Sequence, residues 1–194
     1  MRLVSVALAT LLIGTLLATP QATATTVKHF DLKGMTSSAA RVFRGTVVDV
    51  RAGKVKVGGG ELPTTIYRIK VLEAFKGDFP SFKDVTYTEV EMVGSIKAET
   101  EGKGLRHFSI FRDVPRLERG QDYLLFMTRE SSIALSSPVG LAQGCFEIDT
   151  SIPEEPTANR LMNAGLAANI SKGPMPYAEL AERVRAIVAE QGEK

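Results

Sequence analysis

Tyr123-Leu124-Leu125-Phe126-Met127 is a continuous apolar run of strand length. It is too short for a typical helix and has no polar alternation, so it predicts a strand buried on both faces. Downstream, Ile133 to Ser137 and Cys145 to Asp149 read as two further strands, separated by Pro138 and by Gly140-Leu141-Ala142-Gln143-Gly144. Upstream, residues 94–120 form a long, polar, glycine-containing connection in which Phe108 to Phe111 is a candidate strand; long connections of this kind often carry function.

Further out, Val42 to Val50 is rich in β-branched residues and predicts a strand, with Gly45 marking a bulge or bend. Arg51 to Glu61 contains Gly53 and the triplet Gly58-Gly59-Gly60 and reads as a hairpin loop, with Lys54 to Val57 as ragged strand ends. In the next strand, Thr64 to Leu72, Tyr67, Ile69 and Val71 share one face while Arg68 and Lys70 take the other. Ala74-Phe75-Lys76-Gly77-Asp78 closes it with a turn, and Val85 to Met92 supplies a third strand. Met35 to Arg41 predicts a helical turn capped by Ser37 and Ser38. Pro153, Pro156, Pro174 and Pro176 bracket a variable segment. After it, Tyr177, Leu180, Val184, Ile187 and Val188 recur at helical spacing, opposite Glu179, Glu182, Arg183 and Arg185. Five or six short strands plus one helix predict a mainly β fold, a small closed or partly open β-barrel with an amphipathic C-terminal helix packed on it; a β-sandwich is the alternative.

The N-terminus has a different character. Met1 and Arg2 precede an apolar run from Leu3 to Ala18, and Thr19-Pro20-Gln21-Ala22-Thr23-Ala24 follows, with Pro20 as a helix breaker. A basic start, a short apolar core and the Ala22-x-Ala24 exit are the parts of a signal peptide. The run falls short of the roughly 20 residues that span a bilayer. The expected organisation is therefore a signal peptide at 1–24, an N-terminal segment at 25–41, the β-barrel at 42–150, and an extension with the C-terminal helix at 151–194. The expected location is periplasmic or secreted, with no membrane span after cleavage. Removing 24 of the 194 residues leaves 170, enough for one domain with a real core. Losing Arg2 takes the basic count from 24 to 23 against 22 acidic residues. A balance so close to neutral argues against a dedicated polyanion binder, and no nucleic acid is expected as partner.

Several stretches are similar to a widespread group of uncharacterised exported bacterial proteins. Ala39 to Val50 resembles that group's first strand, and Ile69 to Asp78 its strand followed by a lysine-glycine-aspartate turn. Arg116 to Met127 and Val139 to Ile148 look like its later strands, and Asn159 to Asn169 with the final helix like its C-terminal part. The strand order also resembles the netrin-like version of the OB-fold found in the tissue inhibitors of metalloproteinases. That likeness implies a module that binds a protein, a secreted protease among the options, without chemistry of its own. Those inhibitors reach a zinc ion with an N-terminal cysteine and are stiffened by disulfides. Here Thr25 is the expected first residue and Cys145 is the only cysteine, so their mechanism does not carry over.

Catalytic motifs are scarce. His29 and His107 are each followed by Phe, so there is no H-E-x-x-H; there is also no C-x-x-C, no G-x-S-x-G and no phosphate-cradling loop. His29-Phe30-Asp31 offers two metal ligands but reads better as a polar N-terminal stretch, and neither metal nor cofactor is expected. A lone cysteine in an exported chain forms no internal disulfide, and Cys145 reads as a small buried residue. Glu89 and Glu91 share a strand face about 6.5–7 Å apart, a spacing that suits paired acid–base carboxylates. Lys97, Lys103, Arg106, His107, Phe108 and Arg112 gather cations around an aromatic in the long connection. From these, Arg106, His107, Phe108 and Arg112 are the binding candidates, joined by Gln143, which its flanking glycines hold close to a backbone. The leading expectation is an exported, non-catalytic binding module for a protein partner or envelope component. The alternatives are a secreted hydrolase using acidic residues, and an OB-fold that binds oligosaccharide or nucleic acid.

Overall fold

The computed structural model describes residues 28–82, 84–95, 114–160 and 174–192. A short helix α1 (Leu32–Ser38) leads into the long strands β1 (Arg41–Val57) and β2 (Gly60–Lys76). There follow β3 (Ser81–Phe82), β4 (Val85–Val93), β5 (Asp122–Met127), β6 (Cys145–Asp149), β7 (Thr157–Arg160), β8 (Met175–Pro176) and the C-terminal helix α2 (Tyr177–Gly192). Seven strands make one antiparallel sheet in the order β4-β2-β1-β5-β6-β7-β8, and two-residue β3 pairs with the outer side of β4.

The apolar run 123–127 is β5, flanked by β1 and β6, and it is buried on both faces. Leu124 and Phe126 point into one core with Val42, Phe146 and Ile148 from the sheet, Leu32 and Met35 from α1, and Tyr177, Leu180 and Val184 from α2. Tyr123, Leu125 and Met127 point into a second core with Phe43, Val47, Tyr67, Ile69, Val90, Met92 and Cys145. The helices thus cover one face, and the sheet curls to enclose the other. Phe126 meets Phe146 edge-on at 5.8 Å between ring centres, a contact worth about 0.5–1.5 kcal/mol beyond its burial.

Bulges supply the curl. Relative to its partner, β2 carries Phe75 and Leu72 as extra residues, and β1 carries Val48; each extra residue bends its strand and sharpens the twist. Gly45 sits at one of these points, where an added Cβ would lie 2.6 Å from both Ile69 Cγ2 and Lys70 O. No side chain fits there, which is why the strand tolerates a glycine in its interior.

The expected closed barrel is corrected: β3 and β8 stand at opposite ends of the strand order and the sheet is not closed. Ile133 to Ser137, expected as a further strand of the sheet, is not one. That segment turns instead: Ala134 has φ +62° and Ser131 N donates to Leu135 O at 2.8 Å. Only Pro138 makes an isolated bridge, to Met127. Ser136 N nevertheless donates to Glu91 O at 3.0 Å, and Arg41 Nη1 to Thr88 Oγ1 at 2.8 Å, so β4 comes close to the segment after β5 and to the start of β1.

Three other expectations change. The first helix starts earlier than Met35, because Asp31 caps it by accepting from Gly34 N at 2.6 Å; it ends at Ser38, and the serines do not cap its start. Residues 51–57 and 60–63 are paired strand and not loop. Only Gly58 and Gly59 make the turn, with φ +57° and +81°, the pair of positive values that a two-residue hairpin demands. The extension after residue 150 contributes two short strands, β7 and β8, to the sheet. The candidate strand at Phe108 to Phe111 lies outside the described residues. Among those residues, no helix is long and apolar enough to cross a membrane.

Candidate functional site

Of the sequence-derived candidates, Arg106, His107, Phe108 and Arg112 lie outside the described residues. The chain on either side of them is fixed to the half of the sheet that carries the β1–β2 hairpin. Gly94 N donates to Pro63 O at 3.0 Å, and Gly94 O accepts from Thr65 Oγ1 at 2.7 Å. On the returning side Val114 packs on the inner core, Leu117 is buried in it, and Gly120 N donates to Val47 O at 2.7 Å.

Gln143 sits elsewhere, in a 3-10 turn (Leu141–Gly144) beneath the N-terminal segment, and is only 1% exposed. Its amide grips passing main chain: Phe30 N donates to Oε1 at 3.0 Å, and Nε2 donates to Lys28 O at 2.9 Å and to Gly140 O at 3.3 Å. A buried amide whose donors and acceptor are all engaged holds the fold together, and its polar atoms offer nothing further to a solute.

The acidic pair is already committed. Glu89 accepts from Arg51 Nη2 through both oxygens, at 2.9 and 3.0 Å, in an exposed ion pair. Glu91 Oε1 accepts from Thr64 Oγ1 at 2.5 Å. Asp31, read with His29 as a metal pair, is the helix cap, and no group of three or more metal-ligating side chains occurs among the described residues. Cys145 is fully buried, and burial in apolar surroundings pushes its thiol pKa well up, away from the reactive thiolate.

A polar chain that the sequence did not announce runs along the seam between sheet and α2. Arg44 Nη2 pairs with Asp122 Oδ2 at 2.8 Å, and Thr46 Oγ1 donates to Asp122 Oδ1 at 2.5 Å. The Arg44 guanidinium stacks on the Tyr177 ring, 4.5 Å from its centre, and its Nε is buried without a partner among the described residues. Tyr177 Oη donates to Glu73 Oε2 at 2.5 Å, and Arg185 completes the chain by pairing with the other Glu73 oxygen. Burial first, then the Glu73 carboxylate, raise the Tyr177 pKa. The cluster fastens the start of α2 onto β1, β2 and β5. No sequence spacing could have found it, because its members come from four separate elements.

The remaining exposed feature is the end of the β1–β2 hairpin. From Arg51 to Leu62 no residue is buried on either face of the ribbon. Pairing places Gly53 beside Thr64, Val55 beside Leu62 and Val57 beside Gly60 on one face. The other face carries Lys54 beside Pro63 and Lys56 beside Glu61, with Lys54 Nζ 3.1 Å from Glu61 Oε2. The arm is thus amphipathic: one side is apolar, with Val57 46% exposed, and the other is charged.

No protein-family model matches the chain, and no curated protein is significantly similar to it.

Proposed function

We propose that the protein is an exported, non-catalytic binding module that recognises a protein partner with the β1–β2 arm. Export rests on the leader pattern of residues 1–24. The observation that carries the recognition surface is the arm itself: a paired ribbon from Arg51 to Leu62 with no buried residue. An isolated hairpin is marginal in water, and ordering each residue costs about 1–2 kcal/mol of backbone entropy. A ribbon with no fully buried residue adds little to the stability of its own domain. Its apolar stripe of Val55, Val57 and Leu62, with Arg51 on the same face and Lys54 and Lys56 on the reverse, suits a protein surface with an apolar centre and polar surroundings.

We read the curled sheet as a partly open barrel of the netrin-like OB type. The approach of β4 to Ser136 and Arg41 supports that reading. The cationic connection with Arg106, His107, Phe108 and Arg112 stays in this proposal as a second recognition element, on its residue chemistry alone.

The test removes the arm and keeps the body. Replacing Lys54–Pro63 with Asn-Gly joins Gly53 to Thr64 by a two-residue turn of favoured geometry. The shortened variant is expected to fold, as seen by circular dichroism, and to lose the partner that the full-length protein retains at moderate salt. Undiminished retention by the shortened variant overturns the proposal.

A further inference from the structure

We propose that the exposed face of β2 and β4 carries a carboxylate-binding site, built on Arg68, Lys70 and Tyr87, for an acidic extended segment of a partner protein. Alternation along β2 puts Arg68, Lys70 and Leu72 on one face, successive side chains about 6.5–7 Å apart, and all three are exposed. Pairing sets Tyr87 of β4 opposite Lys70, and Glu89 opposite Arg68. The Arg68 guanidinium lies over the Tyr87 ring, 4.6 Å from its centre.

The two acids nearest to Arg68 are turned away from it. Asp49 on β1 and Glu89 on β4 are its cross-strand neighbours. Both face Arg51 instead: Glu89 accepts from Nη2 through both oxygens, at 2.9 and 3.0 Å, and Asp49 Oδ2 lies 3.9 Å from Nη1. Among the described residues, neither Arg68 nor Lys70 forms an ion pair. Arg68 is thus held by a ring and not by an acid. Stacking orients the planar guanidinium and leaves its N–H edge for a carboxylate, which it meets bidentately. Lys70 adds a point charge beside it.

The surroundings select the ligand. Asp49, Glu89 and Glu91 share this face, so it repels a polyanion or an anionic membrane, whereas two cations suit one or two carboxylates. Leu72, 47% exposed, continues the line beyond Lys70 and offers contact to an apolar side chain. An extended segment repeats its side chains at the spacing of β2 itself. Carboxylates at alternate positions therefore reach Arg68 and Lys70, and the next alternate residue reaches Leu72. The site lies where β2 pairs with β4, and it does not depend on the role proposed for the arm.

The peptides acetyl-Glu-Thr-Glu-Thr-Leu-amide and acetyl-Leu-Thr-Glu-Thr-Glu-amide, one for each chain direction, are titrated into the isotope-labelled mature protein (residues 25–194) and followed by NMR. At least one is expected to move the Arg68 Nε–H and the amides of Lys70 and Tyr87 saturably, and peptides with Gln for Glu are not. Arg68→Lys keeps the charge and loses the bidentate edge, and Lys70→Gln removes the second cation. Each is expected to bind about tenfold more weakly, with an unchanged circular dichroism spectrum because both positions are exposed. The arm-shortened protein is expected to bind as the full protein does, which separates this site from the arm. No saturable shift with either peptide, equal binding of the Gln peptides, undiminished binding by both variants, or binding lost with the arm overturns the proposal. Displacement of the peptide by an equal concentration of inorganic phosphate also overturns it, since the site would then take small anions without regard to the segment.

Discussion

Raising the pH should unfold this protein through its buried phenols, and the Tyr123 share of that effect can be worked from the structure. Tyr123 is 1% exposed, and burial pushes its pKa up to about 12 from 10.0; its oxygen accepts from Glu118 N at 2.9 Å. A folded-state pKa above the unfolded value means that the folded state holds the proton more tightly. The stabilisation is fully present below pH 10 and is lost as pH rises toward 12. At pH 11 the unfolded chain is favoured by about 1.4 kcal/mol through this group alone. Tyr67 and Tyr177, also raised by burial, act in the same direction, and so does Cys145, whose ordinary value of 9.0 starts the decline earliest. Urea unfolding followed by circular dichroism at pH 8 to 11 measures the total. Tyr123→Phe isolates one share: it costs about 1 kcal/mol at pH 8 through the lost Glu118 bond, and then declines less steeply by about 1.4 kcal/mol at pH 11. Parallel curves for the two proteins would refute the reasoning.

Other outcomes follow from single contacts. Gly45→Ala is expected to destabilise by about 1–3 kcal/mol, since the new Cβ meets Ile69 Cγ2 and Lys70 O at 2.6 Å; an unchanged urea midpoint would show that β1 and β2 are not so closely opposed. Phe126→Ala should cost about 3–5 kcal/mol, read in the same assay, because its ring is fully buried against Phe146. Cys145 should stay unreactive to a thiol reagent until the protein unfolds, and rapid native-state labelling would contradict its burial. Glu89→Gln is expected to change stability by less than about 1 kcal/mol, as its ion pair with Arg51 is exposed; loss of a measurable hydrolytic turnover in that variant would revive the acid–base reading.

The parts of the fold legible in the sequence were those in which one residue pattern meets one environment. The unbroken run 123–127 announced a doubly buried strand, and the spacing of Tyr177, Leu180 and Val184 announced the helix that covers the sheet. Gly45 was readable as a bend because a glycine among β-branched residues has little other reason to be there. The hairpin arm was not, since both its faces meet solvent and no burial alternation marks Arg51 to Val57 as strand. Ile133 to Ser137 misled in the opposite sense: its composition suits a strand, but the turn at Ala134 and the serine hydrogen bonds take the backbone elsewhere. Asp31 is not legible as a cap because the seven-residue helix it starts carries only Leu32 and Met35 as apolar core positions, too few to make a repeat. For the site, Gln143 was legible only as a residue held near main chain. The Arg44–Tyr177–Glu73 chain depends on contacts between residues more than 100 positions apart, and no local pattern encodes those.

The recognition role of the β1–β2 arm is tested most directly by affinity capture. The full mature protein, the arm-shortened protein and a control altered far from the arm (Arg183→Ala) are immobilised side by side. Each is exposed to the source organism's envelope and culture-fluid proteins at moderate salt. The account predicts one stoichiometric protein partner retained by the full protein and by the control, and lost by the shortened protein. Retention of that partner without the arm, or no partner on any of the three folded proteins, would contradict it.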